Sequence, residues 1–151
     1  MRAEEPRVLI LMCCNCTRMT QKLAPEINNR FAENVRVLPV TCPSQINPLA
    51  LIKLLQNSVD GIVVACPKDA CCCPENKKVL KRKEIVKDIL PVFGLHREQF
   101  HLASVSPMDP GKLLETVERM IAFIKMSRPA ADGLYFIHPQ DEFPDGYKCV
   151  N

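Results

Sequence analysis

The stretch from Asp60 to Cys73, DGIVVACPKDACCC, is the one around which the chain is organised. It opens on the turn pair Asp60-Gly61 and runs through a short apolar strand, Ile62 to Ala65. It then breaks into a proline-bearing loop that holds Cys66, Cys71, Cys72 and Cys73. A short apolar run bounded by turn signals reads as a strand covered on both faces, as in a parallel sheet. Parallel sheets build their sites just past the carboxyl ends of their strands, so thiols at this point mark where a site belongs. The same arrangement occurs twice upstream: RVLILM, Arg7 to Met12, leads into Cys13, and VRVLPV, Val35 to Val40, leads towards Cys42.

Helical patterns fill the gaps between these runs. Thr17 to Phe31 places Leu23, Ile27 and Phe31 on one face, with Pro25 inside, so the helix either starts near Pro25 or is kinked there. Pro39 cannot donate to a sheet ladder and puts the second strand at an edge. Pro48 opens the next helix, with Leu51, Leu54 and Leu55 as core candidates. After the cysteine loop, Pro74 starts a basic helix running to about Phe93, with Val79, Val86, Leu90 and Phe93 as its apolar stripe and Gly94 as its stop. Phe100 to Ser106 gives a fourth strand, and Asp109 caps a last helix carrying Leu113, Val117, Met120, Ile121 and Ile124.

Strands and helices thus alternate throughout, which specifies an α/β protein with right-handed crossovers and helices on both faces of a parallel sheet. The simplest such architecture is a small flavodoxin-like three-layer sandwich with about four strands. In it the first strand is central, with the second on one side and the third on the other. Residues 1–127 form this α/β domain. Residues 128–151, with Pro129, Pro139 and Pro144, break the pattern and are expected to form an irregular tail that is mobile or lies on a partner.

A chain of 151 residues fits one domain, and a domain of that size buries roughly 70% of the surface its unfolded form exposes, so no disulfide is required to hold it together. Its composition, 47% hydrophobic and 25% charged, is that of an ordinary soluble protein. No apolar run approaches the length needed to span a bilayer, and MRAEEPR leads into the first strand without a signal-peptide pattern. A cytoplasmic location is therefore expected. In that reducing compartment nine cysteines point to metal or redox chemistry before disulfides.

The net charge of +3 is too small to imply nucleic acid, and no nucleic-acid partner is expected. Basic residues do gather at Lys77, Lys78, Lys81, Arg82, Lys83 and Lys87, directly after the cysteine loop. By default this is a solvated helix face. Its position, however, suits an anionic centre or an acidic partner surface. Neither a G-x-G-x-x-G nor a G-x-x-x-x-G-K-[ST] motif is present, so nucleotide binding has no support in the sequence.

Five thiols, Cys13, Cys16, Cys42, Cys66 and Cys71, follow successive strands and converge on one edge of such a sheet. Thiolates are soft donors, and a [2Fe–2S] cluster takes four of them. Histidine is scarce: His96, His101 and His138 lie away from these turns. Three other readings stay open. The cysteines could be buried small hydrophobes, a role that suits one cysteine better than five at strand ends. They could bind structural Zn²⁺, which also takes four thiolates, in a protein-interaction module. A thiol redox enzyme would use Cys13 and Cys16 as a dithiol but leave Cys42, Cys66 and Cys71 without a role. A phosphatase-type loop fits worst, because only four residues separate Cys13 from Arg18 and no glycine is there to cradle a phosphate.

The C-x-x-C after the first strand, NVRVLPVTCPSQINP from Asn34, and DGIVVACPKDAC followed by ENKKVLKR together resemble the delta subunit of methyl-viologen-reducing hydrogenase. The resemblance covers roughly residues 6 to 127. It implies a small subunit that binds a [2Fe–2S] cluster. Such a protein passes electrons between a hydrogenase or other dehydrogenase and the flavin-containing subunit of a heterodisulfide reductase-type complex. By position it assigns the cluster to Cys13, Cys16, Cys42, Cys66 and Cys71. The chain departs from the family where the usual C-H-P-G-D-C-H-Y loop reads CPKDACCC, and its tail with Cys149 has no counterpart. With four ligands needed, the loops suggest that Cys13 and Cys16 hold one iron and Cys66 and Cys71 the other. Cys42 then has the longest reach, and Cys14, Cys72, Cys73 and Cys149 are dispensable.

Overall fold

The computed structural model describes residues 5–13, 17–31, 33–40, 46–67, 84–105 and 110–127. Strands β1 (Val8–Cys13), β2 (Val35–Val40), β3 (Gly61–Pro67) and β4 (Phe100–Val105) form one sheet in the order β2-β1-β3-β4. Every neighbouring pair is parallel. Helices α1 (Thr17–Arg30), α2 (Pro48–Asn57), α3 (residues 84–89) and α4 (Gly111–Ser127) connect or follow the strands. Helix α3 tightens into a 3₁₀ turn at Leu90–Phe93. This is the doubly wound, flavodoxin-like order expected from the alternation of patterns. The second strand lies at an edge, where Pro39 puts it.

Strand β1 shows why the sequence must fold this way: all six of its residues are buried, so both of its faces need cover. The pleat sends Val8, Ile10 and Met12 to one side. There they join Leu23 and Ile27 of α1 and Leu113, Val117, Met120 and Ile124 of α4. Leu9 and Leu11 go to the other side, with Leu51, Ile52 and Leu55 of α2 and Val86 and Leu90 of α3. Each Leu or Ile so buried contributes about 1.5–3 kcal/mol relative to exposure. The two layers thereby fix which face each position along a strand presents.

Local signals set the helix ends. Asn47 caps α2, its side-chain Oδ1 accepting from the Leu49 N–H at 2.9 Å, and Pro48 occupies the first turn. Helix α1 runs unbroken from Thr17 with Pro25 inside it, because Leu23 and Ile27 on either side are fully buried and hold the segment in place. Gly94 terminates the turn after α3 in the left-handed conformation, φ 76°. The expected stripe of this helix is corrected at one point: Phe93 is 43% exposed. Leu90, fully buried, and the partly buried Leu95 take the core positions at this end. Val79 and Asp109 lie outside the described residues, as does the tail from residue 128.

The amino edge of the sheet is closed by hydrogen bonds. The Arg7 N–H donates to the Asp60 carboxylate at 2.8 Å, and the Asp60 and Gly61 N–H groups donate back to the Arg7 carbonyl at 2.8 and 3.1 Å. The Gln99 side-chain amide donates to the Asp60 carbonyl at 2.9 Å, tying the entry of β4 to that of β3. A Cβ at Gly61 would run into the Met120 side chain, so β3 and α4 pack closely here and a larger residue would require that side chain to move.

Candidate metal centre

Cys13 is the last residue of β1, and Val40 is its register partner on β2. Cys66 lies one residue before the end of β3, paired in register with Ser104 of β4. Between β1 and β3 the last paired positions are Met12 and Ala65, so the next step along both strands brings Cys13 and Cys66 side by side. Adjacent strands run about 4.8 Å apart. The side each thiol occupies follows from the pleat. Cys66 continues the series Ile62, Val64 and packs in the α2/α3 layer. Cys13 continues Leu9 and Leu11, and its partner Val40 belongs to that same layer. Both thiols therefore lie on the α2/α3 side, 4% and 9% exposed respectively.

This position is the topological switch point of the sheet. From β1 the chain winds outward to β2 on one side, and β3 and β4 continue on the other, so the loops after β1 and β3 part above the sheet. Crevices of doubly wound proteins open there. Two buried soft donors at the switch point form a place where a thiophilic metal or an iron–sulfur cluster can be held.

Cys16, Cys42 and Cys71 lie outside the described residues, as do Cys14, Cys72, Cys73 and Cys149. By sequence Cys16 immediately precedes α1, Cys42 stands two residues past β2, and Cys71 stands four past β3. Among the described residues no group of three or more histidine, cysteine or acidic side chains is placed to hold a metal ion. The described histidines are elsewhere. His101 pairs with Val63, well before Cys66 along the strand, and His96 sits edge-on to Phe123 with ring centroids 5.6 Å apart. The basic residues 77–83 also lie outside the described residues. No described helix is long and apolar enough to cross a membrane.

Sequence alone places both thiols at strand ends but not on a common face. Parity within each strand is visible there; the register that relates one strand to the other is not.

A parallel, doubly wound sheet with buried cysteines at its central switch point defines a small flavodoxin-like α/β domain of the thiol-bearing kind. The chain belongs to the methyl-viologen-reducing hydrogenase delta subunit family, whose family model matches residues 8–126. It is 26% identical over 127 residues to the iron-sulfur subunit of the F420-non-reducing hydrogenase of Archaeoglobus profundus, covering 83% of this chain and 93% of that protein. It is also similar to one subunit of each of two heterodisulfide reductases. The first belongs to the ferredoxin/F(420)H(2)-dependent CoB-CoM enzyme of Methanosarcina acetivorans, 23% identical over 80% of this chain. The second belongs to the ferredoxin:CoB-CoM enzyme of Methanosarcina mazei, 23% identical over 88% of this chain. The matches span only 15% and 17% of those longer proteins, so there the likeness concerns one segment of a larger polypeptide.

Proposed function

We propose that this protein is an electron-transfer subunit that carries a [2Fe–2S] cluster at the carboxyl edge of its sheet and performs no substrate chemistry of its own. The observation that supports this most is the pair of buried thiols, Cys13 and Cys66, side by side on one face at the switch point. The donor set fits the group: thiolate is the ligand iron–sulfur clusters use, and the sequence supplies further thiols after the strands. Cys16, Cys42 and Cys71 are the remaining candidate ligands. When bound, the cluster supplies one-electron redox chemistry; the chain binds it, excludes water from its inner side and fixes its position.

The relatives support the choice of partners. The iron–sulfur protein of a hydrogenase and segments of heterodisulfide reductases both resemble this chain. A hydrogenase or other dehydrogenase is thus the proposed donor, and a flavin-containing heterodisulfide reductase-type subunit the acceptor. The basic run after Pro74 is suited to an acidic surface on one of them. The competing reading, a zinc-stabilised interaction module, uses the same thiols. Visible absorption of the anaerobically purified protein separates the two. The electron-transfer reading expects a coloured protein that bleaches with dithionite and recovers on adding the oxidised flavin subunit. A colourless protein holding stoichiometric zinc would remove it.

A further inference from the structure

We infer that Cys13 and Cys66 act as a pair on the same metal ion, approached from the α2/α3 side of the sheet, so that the strands carry a preformed half of the centre and the loops complete it. The inference rests on the metal-centre reading and specifies how its ligands are shared.

Three features of the strands carry it. The two residues occupy the next matched position after Met12 and Ala65 on hydrogen-bonded neighbours, which sets their backbones about one strand spacing apart. Their places in the pleat give them the same face, through Val40 for Cys13 and through Ile62 and Val64 for Cys66. Both are buried in the central strands, where the backbone is held by ladders on each side. Two thiolates on one tetrahedral ion, each about 2.3 Å from it, lie roughly 3.8 Å from one another. Neighbouring side chains on one face of a sheet reach that separation by choice of rotamer alone. Thiolates on the two irons of a cluster must stand farther apart than this, which makes the shared ion the closer match to one strand spacing. Binding replaces the two S–H protons with the metal, and the protons leave to solvent.

This divides the ligands differently from the loop-by-loop expectation. Cys13 and Cys66 take one iron together, instead of one iron each. The strand pair needs no loop to form, so it can grip a single soft cation by itself.

The test has two arms. In the full-length chain with the other seven of the nine cysteines replaced by serine, and folding checked by circular dichroism, Cd²⁺ is titrated and its thiolate charge-transfer absorption followed. One Cd²⁺ per chain is expected. A further Cys13→Ser or Cys66→Ser should weaken binding by at least about 100-fold, more than loss of a supporting outer contact does. Absent binding in the folded variant, or binding indifferent to either thiol, overturns the pairing. The second arm retains the native loops: Cys13→Ser and Cys66→Ser proteins enriched in ⁵⁷Fe are compared by Mössbauer spectroscopy. Perturbation of the same iron site by both supports the pairing, and perturbation of different sites overturns it. If wild-type protein carries no iron, the electron-transfer proposal fails while the Cd²⁺ arm still decides the pairing.

Discussion

The two edges of the sheet are built from different materials. At the amino edge the strands enter through polar contacts: the Asp60 carboxylate on Arg7, the Gln99 amide on Asp60, and Asn34, whose side chain donates to the Pro6 carbonyl at 3.1 Å. At the carboxyl edge the central strands end instead in buried thiols, Cys13 and Cys66. Hydrogen bonds that close on themselves hold a fold together but offer a ligand nothing. Buried thiols add little that an alanine would not, yet they are strong donors to a soft metal. Under the proposed function, stability and chemistry therefore lie at opposite ends of the same strands. That division can be attacked by substitution.

Between the edges, Ile10 sets the scale for stability. It is fully buried in the middle of β1, and Ile10→Ala should cost about 2–5 kcal/mol in urea unfolding, with iron per folded chain unaltered. Asp60→Ala comes next. It strips the acceptor from the Arg7 N–H and should cost about 1–3 kcal/mol. Metal content and visible spectrum should again match wild type; a loss of iron here would erase the separation between the edges. The smallest effect on the fold is expected of the double reversal Lys78→Glu with Arg82→Glu, within about 0.5 kcal/mol if the basic run is the solvated face its sequence suggests. Its signature is kinetic. Association with the flavin subunit should slow and lose its salt dependence, and association unchanged across a salt series would mark the basic run as a solvated face.

Much of the fold is legible in the residues themselves. Continuous apolar runs point to the parallel sheet, Pro39 to its edge, and Gly94 to the end of α3, because each rests on a local covalent property of the chain. The points that are not legible share a cause too. Pro25 leaves the start of α1 undecided, since burial of Leu23 and Ile27 outweighs one lost donor only once the sheet is present. Phe93 fits a helical stripe but sits beside Leu90 and Leu95, which reach the core first. Asn47 directly before Pro48 is a local signal for the cap of α2, one that the proline overshadows. For the candidate metal centre, the placement of Cys13 and Cys66 at strand ends can be read from the sequence. The shared face of Cys13 and Cys66 cannot, because inter-strand register is decided by how two apolar layers fill and by turns at the far end.

The most direct test of the carboxyl edge as the metal centre is to count iron and inorganic sulfide in anaerobically purified wild-type protein beside Cys13→Ser, Cys66→Ser, Cys72→Ser and Cys149→Ser. A [2Fe–2S] centre predicts about two irons and two sulfides per chain in the wild type. The count should fall, or the surviving cluster change its spectrum, in Cys13→Ser and Cys66→Ser, and both should stay as in wild type in Cys72→Ser and Cys149→Ser, with all the proteins folded. Full iron with an unaltered spectrum in Cys13→Ser and Cys66→Ser, together with its loss in Cys72→Ser or Cys149→Ser, would contradict the assignment of the centre to the strand ends.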